Sequence, residues 1–457
     1  MPDAGPATAR PDPGTGTPGP PAAPRSVVVV GAGIAGARTV LELRAQGFDG
    51  RVTLLGAEGV APYDRPPLSK HLLDRPAPAW LSDELGADAL AAADDVRLGT
   101  PATALAVDDG GVRVGTADGD VVADAVVVAT GAAAVRPAGW SGALTLHTAA
   151  DAERLRSALG FPHGLPPGTG ATDGADGSPA SPRRLVVVGA GWVGAEVATV
   201  AAAAGVDVTV VEARQAPLMT ALGPEVGALT ARWFARAGVR LLTGVSVAAV
   251  ETGVTGEPGA VRLSDGTVLP ADVVLAAIGA RPATGWLAGA LPLEPDGSVL
   301  VDERHAPVGG PWRVRVVGDA ARRRSARHGW VPGGHWDAAL RGPAVAVAGL
   351  LGHEAAESDL APYVFSTQLG HELALYGLPG ADDEVVLRGD PAGDDGWTAL
   401  WFAPGGGATG TLTAVFAVDR PRDVGGARRL LAGPALPVLD RARAADPAVA
   451  LPRAVAG

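Results

Sequence analysis

The stretch SVVVVGAGIAGARTVLELRAQGFDGRVTLLGAE, residues 26–58, decides the fold of this chain. It opens with a run of valines, passes through glycines spaced Gly-x-Gly-x-x-Gly, continues with apolar residues at helical spacing and ends in a second apolar run. A valine run is typical of a buried parallel strand, and glycines that follow a strand and open a helix leave room for a phosphate at the helix N-terminus. The stretch therefore predicts a strand–helix–strand unit that binds a dinucleotide.

The same unit occurs a second time, as RRLVVVGAGWVGAEVATVAAAAGVDVTVVEARQ over residues 183–215. The similarity extends further, because Val112–Gly131 resembles Val261–Gly279. Each of these segments predicts a hairpin that turns at Asp-Gly, followed by a buried strand. The fold class that follows is α/β, with two Rossmann-like dinucleotide-binding domains.

The pattern changes after about Gly349, where short alternating strands predict a C-terminal α+β domain with an antiparallel sheet and a helical tail around Ala427–Leu439. The predicted division of the chain is a disordered tail over 1–24, the first dinucleotide-binding domain over 25–133 and 281–346, the second over 134–280 with a flexible Gly/Pro-rich insertion over 162–182, and a C-terminal interface domain over 347–457.

Composition narrows the possible functions. The formal net charge of -12 argues against a general nucleic-acid or anionic-membrane surface. The chain contains no cysteine, which excludes disulfides, cysteine-ligated zinc, iron–sulfur clusters held by this chain and a redox-active dithiol; no metal site is predicted. No apolar run reaches the roughly 18–20 residues of a membrane span, so a cytoplasmic location is expected by default.

A carboxylate at the end of a unit's second strand helps to choose the dinucleotide. Glu212 holds this position in the second unit, where it can accept hydrogen bonds from an adenosine ribose and repel a 2′-phosphate, which favours NADH over NADPH. Arg214 leaves NADPH open, since a nearby arginine can hold that phosphate. In the first unit Glu58 stands just beyond the strand, as either a ribose ligand or an exposed loop carboxylate.

Further motifs follow the glycine loops in order: PYDRPPLSK (62–70), VVGDAA (316–321) and HWDAAL (335–340). With these motifs the chain resembles the oxygenase-coupled ferredoxin reductase family, from about Arg25 to the C-terminus. The resemblance implies a glutathione reductase-like flavoprotein that depends on FAD and NADH and passes electrons to a ferredoxin. Whether the protein is a monomer or a homodimer stays open.

The resemblance also implies roles for single residues. FAD would be held by Gly31, Gly33, Gly36, Glu58, Arg65, Lys70, Thr130, Gly131, Asp319, His335 and Trp336, and NADH by Gly189, Gly191, Gly194 and Glu212. The catalytic residues would be Lys70, Glu196 and Trp336. The chain departs from the family pattern at Ala57, Gly334, Arg341, Phe365 and Thr367. These departures affect what the resemblance implies for the outer face of the flavin and for the partner surface more than what it implies for the cofactors.

Lys70 is the only lysine in the chain. A compact ammonium can support a reduced flavin without crowding it, whereas a guanidinium is a wide planar fork. Pro66 and Pro67 suit the first turn of a helix and would hold Lys70 rigidly. A cation buried beside a flavin needs a countercharge, and Glu196 is the acid we expect there.

Without cysteine, electrons cannot pass from the flavin to a disulfide, so they are expected to leave singly to an iron–sulfur protein. Ferredoxins are usually acidic, and a basic docking patch is predicted at Arg322, Arg323, Arg324 and Arg327. Two alternatives remain open: an NAD(P)H-dependent quinone, dye or radical reductase that needs no ferredoxin, and an NADH-responsive redox sensor like apoptosis-inducing factor.

Overall fold

The computed structural model describes residues 23–165, 183–252, 258–354 and 359–457. Nearly all of the predicted tail (1–24) and most of the predicted insertion (162–182) lie outside the described residues.

The first part of the chain opens with the expected strand and helix. The helix Ala149–Leu159 begins at a capping box, in which the Thr148 hydroxyl and the Asp151 carboxylate each accept a hydrogen bond from the other's backbone N–H, and it is followed by Gly160 in the left-handed region. The elements are β1 (Ser26–Val30), α1 (Ile34–Ala45), β2 (Arg51–Gly56), β3 (Tyr63–Asp64), α2 (Pro67–Lys70), β4 (Ala79–Trp80), α3 (Leu81–Leu85), α4 (Ala89–Ala92), β5 (Asp95–Leu98), β6 (Ala102–Asp108), β7 (Gly111–Thr116), β8 (Val121–Ala123), β9 (Ala125–Val128), β10 (Ala132–Ala134) and α5 (Ala149–Leu159).

The second unit repeats this order of strand, helix and strand. Its long helix α7 is interrupted at Gly223, whose backbone is not helical. The elements are β11 (Arg184–Val188), α6 (Trp192–Ala203), β12 (Asp207–Glu212), α7 (Met219–Arg236), β13 (Arg240–Thr243), β14 (Val247–Thr252), β15 (Pro258–Leu263), β16 (Val268–Pro270), β17 (Val273–Ala276) and β18 (Ala280–Pro282).

The rest of the chain returns to the first unit and then forms the C-terminal sheet. Among the described helices none is long and apolar enough to cross a lipid bilayer. The elements are β19 (Val299–Val301), β20 (Val314–Val316), β21 (Ala321–Ser325), β22 (Gly329–Val331), α8 (Trp336–Leu351), β23 (Tyr363–Gln368), β24 (His371–Gly377), β25 (Glu384–Arg388), β26 (Trp397–Phe402), β27 (Thr409–Val418), α9 (Pro421–Leu430), β28 (Val438–Asp440) and α10 (Arg441–Ala445).

Two parallel sheets form the centres of the two units. Their strand orders are β20-β9-β1-β2-β5 and β13-β12-β11-β17, and all neighbours pair in parallel. Strand β1 is internal in the first sheet, and strand β11 is internal in the second. Each glycine loop follows the carboxyl end of its strand, where ligands of open α/β sheets bind. The crossovers between the units, β10 and β18, pair with each other.

The C-terminal antiparallel sheet has the order β23-β24-β27-β26-β25, with β28 paired to β27. Its inner face packs on the second unit, since Trp397 and Phe416 share one buried core with Trp233. Parallel cores and this antiparallel sheet confirm the predicted fold class. The predicted helical tail over Ala427–Leu439 is wrong in its second half: Leu439 is fully buried and lies in a strand that pairs with β27.

A buried ion pair holds the end of the chain against the C-terminal sheet. The Arg388 guanidinium lies 2.9 Å from the Asp423 carboxylate, and both side chains are almost completely buried. Arg388 also donates to the carbonyls of Ala444 and Val449, at 3.1 and 2.7 Å. The Arg388 side chain thereby fixes α9, α10 and the residues that follow α10.

Asp423→Ala should destabilise the C-terminal domain by about 3–5 kcal/mol, because it leaves the Arg388 charge buried without a countercharge. Differential scanning calorimetry should show a clearly lower midpoint temperature of unfolding for the variant than for the unaltered protein. Glu251→Ala is the matched control, since it breaks the exposed pair with Arg262 and should cost less than about 1 kcal/mol. Equal midpoints for the two variants would contradict the role given to Arg388.

Candidate active site

The first glycine loop is shaped by close backbone contacts. Gly31 has a φ of +113°, and a Cβ on it would lie 2.2 Å from the carbonyl oxygen of Ala129. A Cβ on Gly36 would lie 1.7 Å from the oxygen of Gly31, so this glycine lets α1 pack against the loop. A Cβ on Gly33, by contrast, would meet no atom within 4 Å, and Gly33 lines a cleft. Two glycines therefore build the loop, and Gly33 leaves the space in front of it open.

The second glycine loop repeats this division of roles. A Cβ on Gly189 would lie 2.4 Å from the oxygen of Ala277, and a Cβ on Gly194 would lie 2.0 Å from the oxygen of Gly189. A Cβ on Gly191 would meet nothing within 4 Å. The repetition seen in the sequence is thus a repetition of backbone contacts as well.

At the end of β12, Glu212 faces its own glycine loop. Its carboxylate accepts hydrogen bonds from the backbone N–H groups of Ala190 and Arg214, both at 2.8 Å. These bonds fix the carboxylate beside the loop, in the position from which a ribose would be recognised.

A first cleft starts at the first glycine loop and runs toward the crossover strands. The Thr130 hydroxyl and the Trp286 indole N–H, both of residues that line this cleft, are buried and have no hydrogen-bond partner among the described residues. Buried polar atoms are almost always satisfied, so these two call for a bound group. Of the residues predicted to hold FAD, those that line this cleft are Gly31, Gly33, Glu58, Arg65, Thr130, Gly131 and Asp319.

Glu58 is tied into a small network within this cleft. It accepts a hydrogen bond of 2.5 Å from the Tyr63 hydroxyl and one of 2.8 Å from Arg65. Burial raises the pKa of Tyr63 to about 12, so the hydroxyl keeps its proton and acts as a donor. Arg65 also donates to the carbonyl of His147. Glu58 therefore aligns an arginine and a tyrosine at the cleft wall, and its contact with a ribose stays a prediction.

A second cleft adjoins the first, with Arg65, His147 and Asp319 lining both. It contains the first residue of α1, Ile34, and the first residue of α6, Trp192. The two glycine-loop helices therefore begin at the same cleft.

Lys70 and Glu196 form an ion pair in this second cleft. Both side chains are largely buried, with 13% and 5% of their surfaces exposed. The Lys70 ammonium also lies 5.3 Å from the centre of the Phe365 ring, on β23. The structure thus brings together the lysine and the acid that the sequence predicts as partners, while their catalytic roles stay predictions.

Two serine hydroxyls complete the surroundings of Glu196. Ser69, next to Lys70 on α2, and Ser366, on β23, each lie 2.5 Å from a Glu196 carboxylate oxygen, and both donate. Gln368 donates in turn to the Ser366 hydroxyl at 3.0 Å. The carboxylate is therefore held by groups from the first unit and from the C-terminal sheet, while it belongs to the second unit.

Sequence reasoning missed these serines, although the signals were present. Ser69 stands beside Lys70 in PYDRPPLSK, and Ser366 lies in the segment Phe365–Gln368 that the family resemblance singles out. The sequence could not assign Tyr63, whose hydroxyl donates to Glu58 and also accepts a hydrogen bond from the backbone N–H of Ala149, 86 residues away.

Trp336, at the start of α8, forms another wall of the second cleft. Its indole N–H donates to Asp64 at 2.8 Å, and burial raises the pKa of the Asp64 carboxyl. Asp319 accepts a hydrogen bond of 2.9 Å from the Gly334 N–H. His335, the residue before Trp336, does not line the second cleft. Its ring nitrogen lies 3.1 Å from the Pro332 carbonyl, and its side chain lines a different cavity.

The arginine patch predicted for a partner is corrected by the structure. The side chains of Arg323 and Arg327 are only 11% and 5% exposed, and both pair with Asp359. They hold β21 against the segment that leads into the C-terminal sheet, so they cannot face a partner. Arg324 is exposed over 65% of its side chain and lies 3.6 Å from Glu303. Arg322 is partly buried.

Comparison with known proteins places these features in context. Residues 25–333 match the family described as pyridine nucleotide-disulphide oxidoreductase, and residues 363–455 match the reductase C-terminal domain. The chain is 34% identical to a protein of Burkholderia cepacia named anthranilate 1,2-dioxygenase system ferredoxin–NAD(+) reductase component, over 93% of this chain and 98% of the relative.

Two solved structures are similar over most of their length. The crystal structure of Fdr9 superimposes with a TM-score of 0.77 at 37% identity, covering 93% of this chain and 99% of the other. The covalent putidaredoxin reductase–putidaredoxin complex gives a TM-score of 0.80 at 28% identity, covering 94% of this chain and 97% of the other.

Proposed function

This chain belongs to the pyridine nucleotide-disulphide oxidoreductase family, and we propose that it carries electrons from NADH through a bound FAD to a ferredoxin-type iron–sulfur protein that serves an oxygenase or a cytochrome P450. The chain is an NAD(P)H-dependent flavoprotein oxidoreductase of the kind that its curated relatives represent.

The observation that carries the proposal is the meeting of both glycine-loop helices at one cleft. Ile34 of α1 and Trp192 of α6 line the same space as the Lys70–Glu196 pair. A dinucleotide bound at each loop would extend its reactive end into this space, where the two ends can meet. Holding two reactants in contact supplies much of the rate at such a site.

The first cleft fits FAD. Gly33 leaves room for a pyrophosphate in front of the N-terminus of α1, where free N–H groups favour an anion. The Thr130 hydroxyl and the Trp286 indole N–H, which have no partner in the described part of the chain, would supply polar contacts, and Asp319 lines both clefts. When bound, FAD accepts a hydride from NADH and releases its electrons singly.

The residues of this chain supply the electrostatics of the second cleft. The Lys70 ammonium faces the cleft and favours negative charge there, while Glu196 offsets the cost of burying that cation. Ser69 and Ser366 donate short hydrogen bonds to the carboxylate oxygens and thereby hold the Glu196 side chain in place. Trp336 covers one wall and is itself fixed by Asp64.

NADH is proposed as the donor because the Glu212 carboxylate is fixed at the loop that would bind the adenosine ribose. Glu212→Ala should raise the KM for NADH by about ten- to a hundredfold, as expected for the loss of hydrogen bonds to a charged group. Flavin content should stay unchanged. Steady-state assays with both NADH and NADPH would check this, and a loss of flavin instead would show that the two loops have been assigned in reverse.

A one-electron acceptor is proposed because the chain has no cysteine to take electrons from the flavin as a disulfide. The Burkholderia cepacia relative is named as the ferredoxin–NAD(+) reductase component of a dioxygenase system, and the putidaredoxin reductase of the similar structure is in a covalent complex with putidaredoxin. Of the predicted docking patch, Arg324 stays a candidate contact because its side chain is exposed.

The proposed function is tested by NADH-driven reduction of cytochrome c with and without an oxygenase-system ferredoxin. We expect the rate to depend on the ferredoxin and to saturate with its concentration. An equal rate without ferredoxin, or faster turnover with quinones, would indicate a quinone or dye reductase. Slow reoxidation of the flavin together with NADH-dependent dimerisation would indicate a redox sensor.

A further inference from the structure

Another cleft lies behind α2, between the chain around residues 60–79 and the helix α5. Most of its walls are proline and alanine side chains. Leu68 lines both this cleft and the one that contains Lys70, so the two clefts are neighbours that meet at α2. Neither glycine loop reaches this cleft, and the proposed electron transfer makes no use of it.

Arg156, on α5, lines this cleft and has an unusual environment. Only 7% of its surface is exposed, and within the described residues its side chain has no hydrogen-bond or ion-pair partner. The other arginines with so little exposure in the described chain have partners for their terminal nitrogens or their charge: Arg388 pairs with Asp423, and Arg315 donates through its terminal nitrogens to three backbone carbonyls, although its Nε has no partner among the described residues. A buried guanidinium without a countercharge is costly.

The charged groups around Arg156 leave it uncompensated. Burial lowers the pKa of Arg156, and the Glu153 charge, one turn earlier on the exposed face of α5, opposes this shift without forming an ion pair. Arg75, on the opposite wall, is paired with Glu84 at 3.0 Å. Glu153 and His163 also line the cleft, and within its mainly apolar walls Arg156 is a buried cation that no described carboxylate pairs with.

We propose that this cleft binds a small carboxylic acid with an apolar body, whose carboxylate pairs with Arg156. A guanidinium and a carboxylate match in shape and can share two parallel hydrogen bonds, which makes such pairs strong. The proline and alanine walls would cover an aromatic or branched aliphatic body and gain from its burial. Because Pro67 and Leu68 form part of the wall, the ligand would touch the helix that carries Lys70.

Isothermal titration calorimetry on the purified full chain tests this, with benzoate as the probe and benzamide as its neutral analogue. We expect one benzoate site per chain, and affinity for benzamide lower by about tenfold or more, because the charged pair is lost. Arg156→Gln should weaken benzoate binding by a similar factor. Arg154→Gln is the matched control on the same helix, since Arg154 is exposed and pairs with Asp151, and it should bind benzoate normally.

Glu153→Gln offers a change in the opposite direction, because it removes a competing carboxylate near Arg156 and should tighten benzoate binding. The comparison of benzoate with benzamide on the unaltered chain keeps the test valid even if Arg156→Gln folds poorly. Absence of benzoate binding, equal binding of benzamide, preference for inorganic phosphate, or unchanged affinity in a folded Arg156→Gln protein would each overturn the proposal. None of these outcomes bears on electron transfer to ferredoxin.

Discussion

Gly33→Val is expected to give a folded protein that has lost its flavin, with less than about a tenth of the normal content. The backbone of Gly33 is extended, with a φ of -81° and a ψ of -170°, which valine adopts readily. A Cβ there would meet no atom within 4 Å, and the side chain would project into the space proposed for the pyrophosphate. Flavin absorbance and circular dichroism of the purified variant would measure the two effects separately.

Gly191→Val is the matched control in the second loop, where the glycine has nearly the same backbone angles and also faces open space. This variant should keep its flavin and lose reduction by NADH. If Gly191→Val loses the flavin and Gly33→Val retains it, the cofactors are exchanged between the loops. If both variants keep flavin and NADH activity, neither loop holds a pyrophosphate.

Lys70→Ala should keep its flavin and slow the reduction of that flavin by NADH by about a hundredfold, comparable to the removal of one preorganised electrostatic group from an active site. The physical reason is that the variant loses the cation facing the cleft and also leaves the Glu196 carboxylate buried with only two hydroxyl donors. Anaerobic stopped-flow absorbance gives the reduction rate directly, apart from substrate affinity.

Lys70→Arg distinguishes charge from shape. The cleft around Lys70 is closed by Glu196 and the Phe365 ring, so we expect the wider guanidinium to restore only part of the rate. Full restoration would mean that any positive charge suffices. An unchanged rate in Lys70→Ala would remove Lys70 from the mechanism altogether.

Much of the fold followed from local patterns. The valine runs and the glycine spacing predicted β1, α1, β11 and α6 closely, because buried parallel strands and glycine turns depend on short-range chemistry. The structure of the end of the chain could not be predicted from local patterns. Val438–Asp440 forms a strand because β27 offers it an edge, and such pairing cannot be read from local composition.

The candidate site was likewise predictable only in part. The sequence predicts the pairing of Lys70 with Glu196, because a buried cation needs an acid and the family motifs provide one, and the structure contains this ion pair. The arginine run failed as a docking patch because Asp359, far along the chain, takes up Arg323 and Arg327. Whether a charge is solvated or buried depends on a tertiary partner, which a run of arginines does not reveal.

Electron transfer to an iron–sulfur protein is tested most directly by a single-turnover experiment. The chain is reduced with one equivalent of NADH per flavin under anaerobic conditions and mixed with an oxidised oxygenase-system ferredoxin in a stopped-flow spectrometer. We expect the flavin to reoxidise at a rate that saturates with ferredoxin and to reduce about two iron–sulfur clusters per flavin, since a hydride carries two electrons and each cluster accepts one. A flavin that stays reduced with excess ferredoxin, and reoxidises only when a quinone or oxygen is added, would contradict the proposed function.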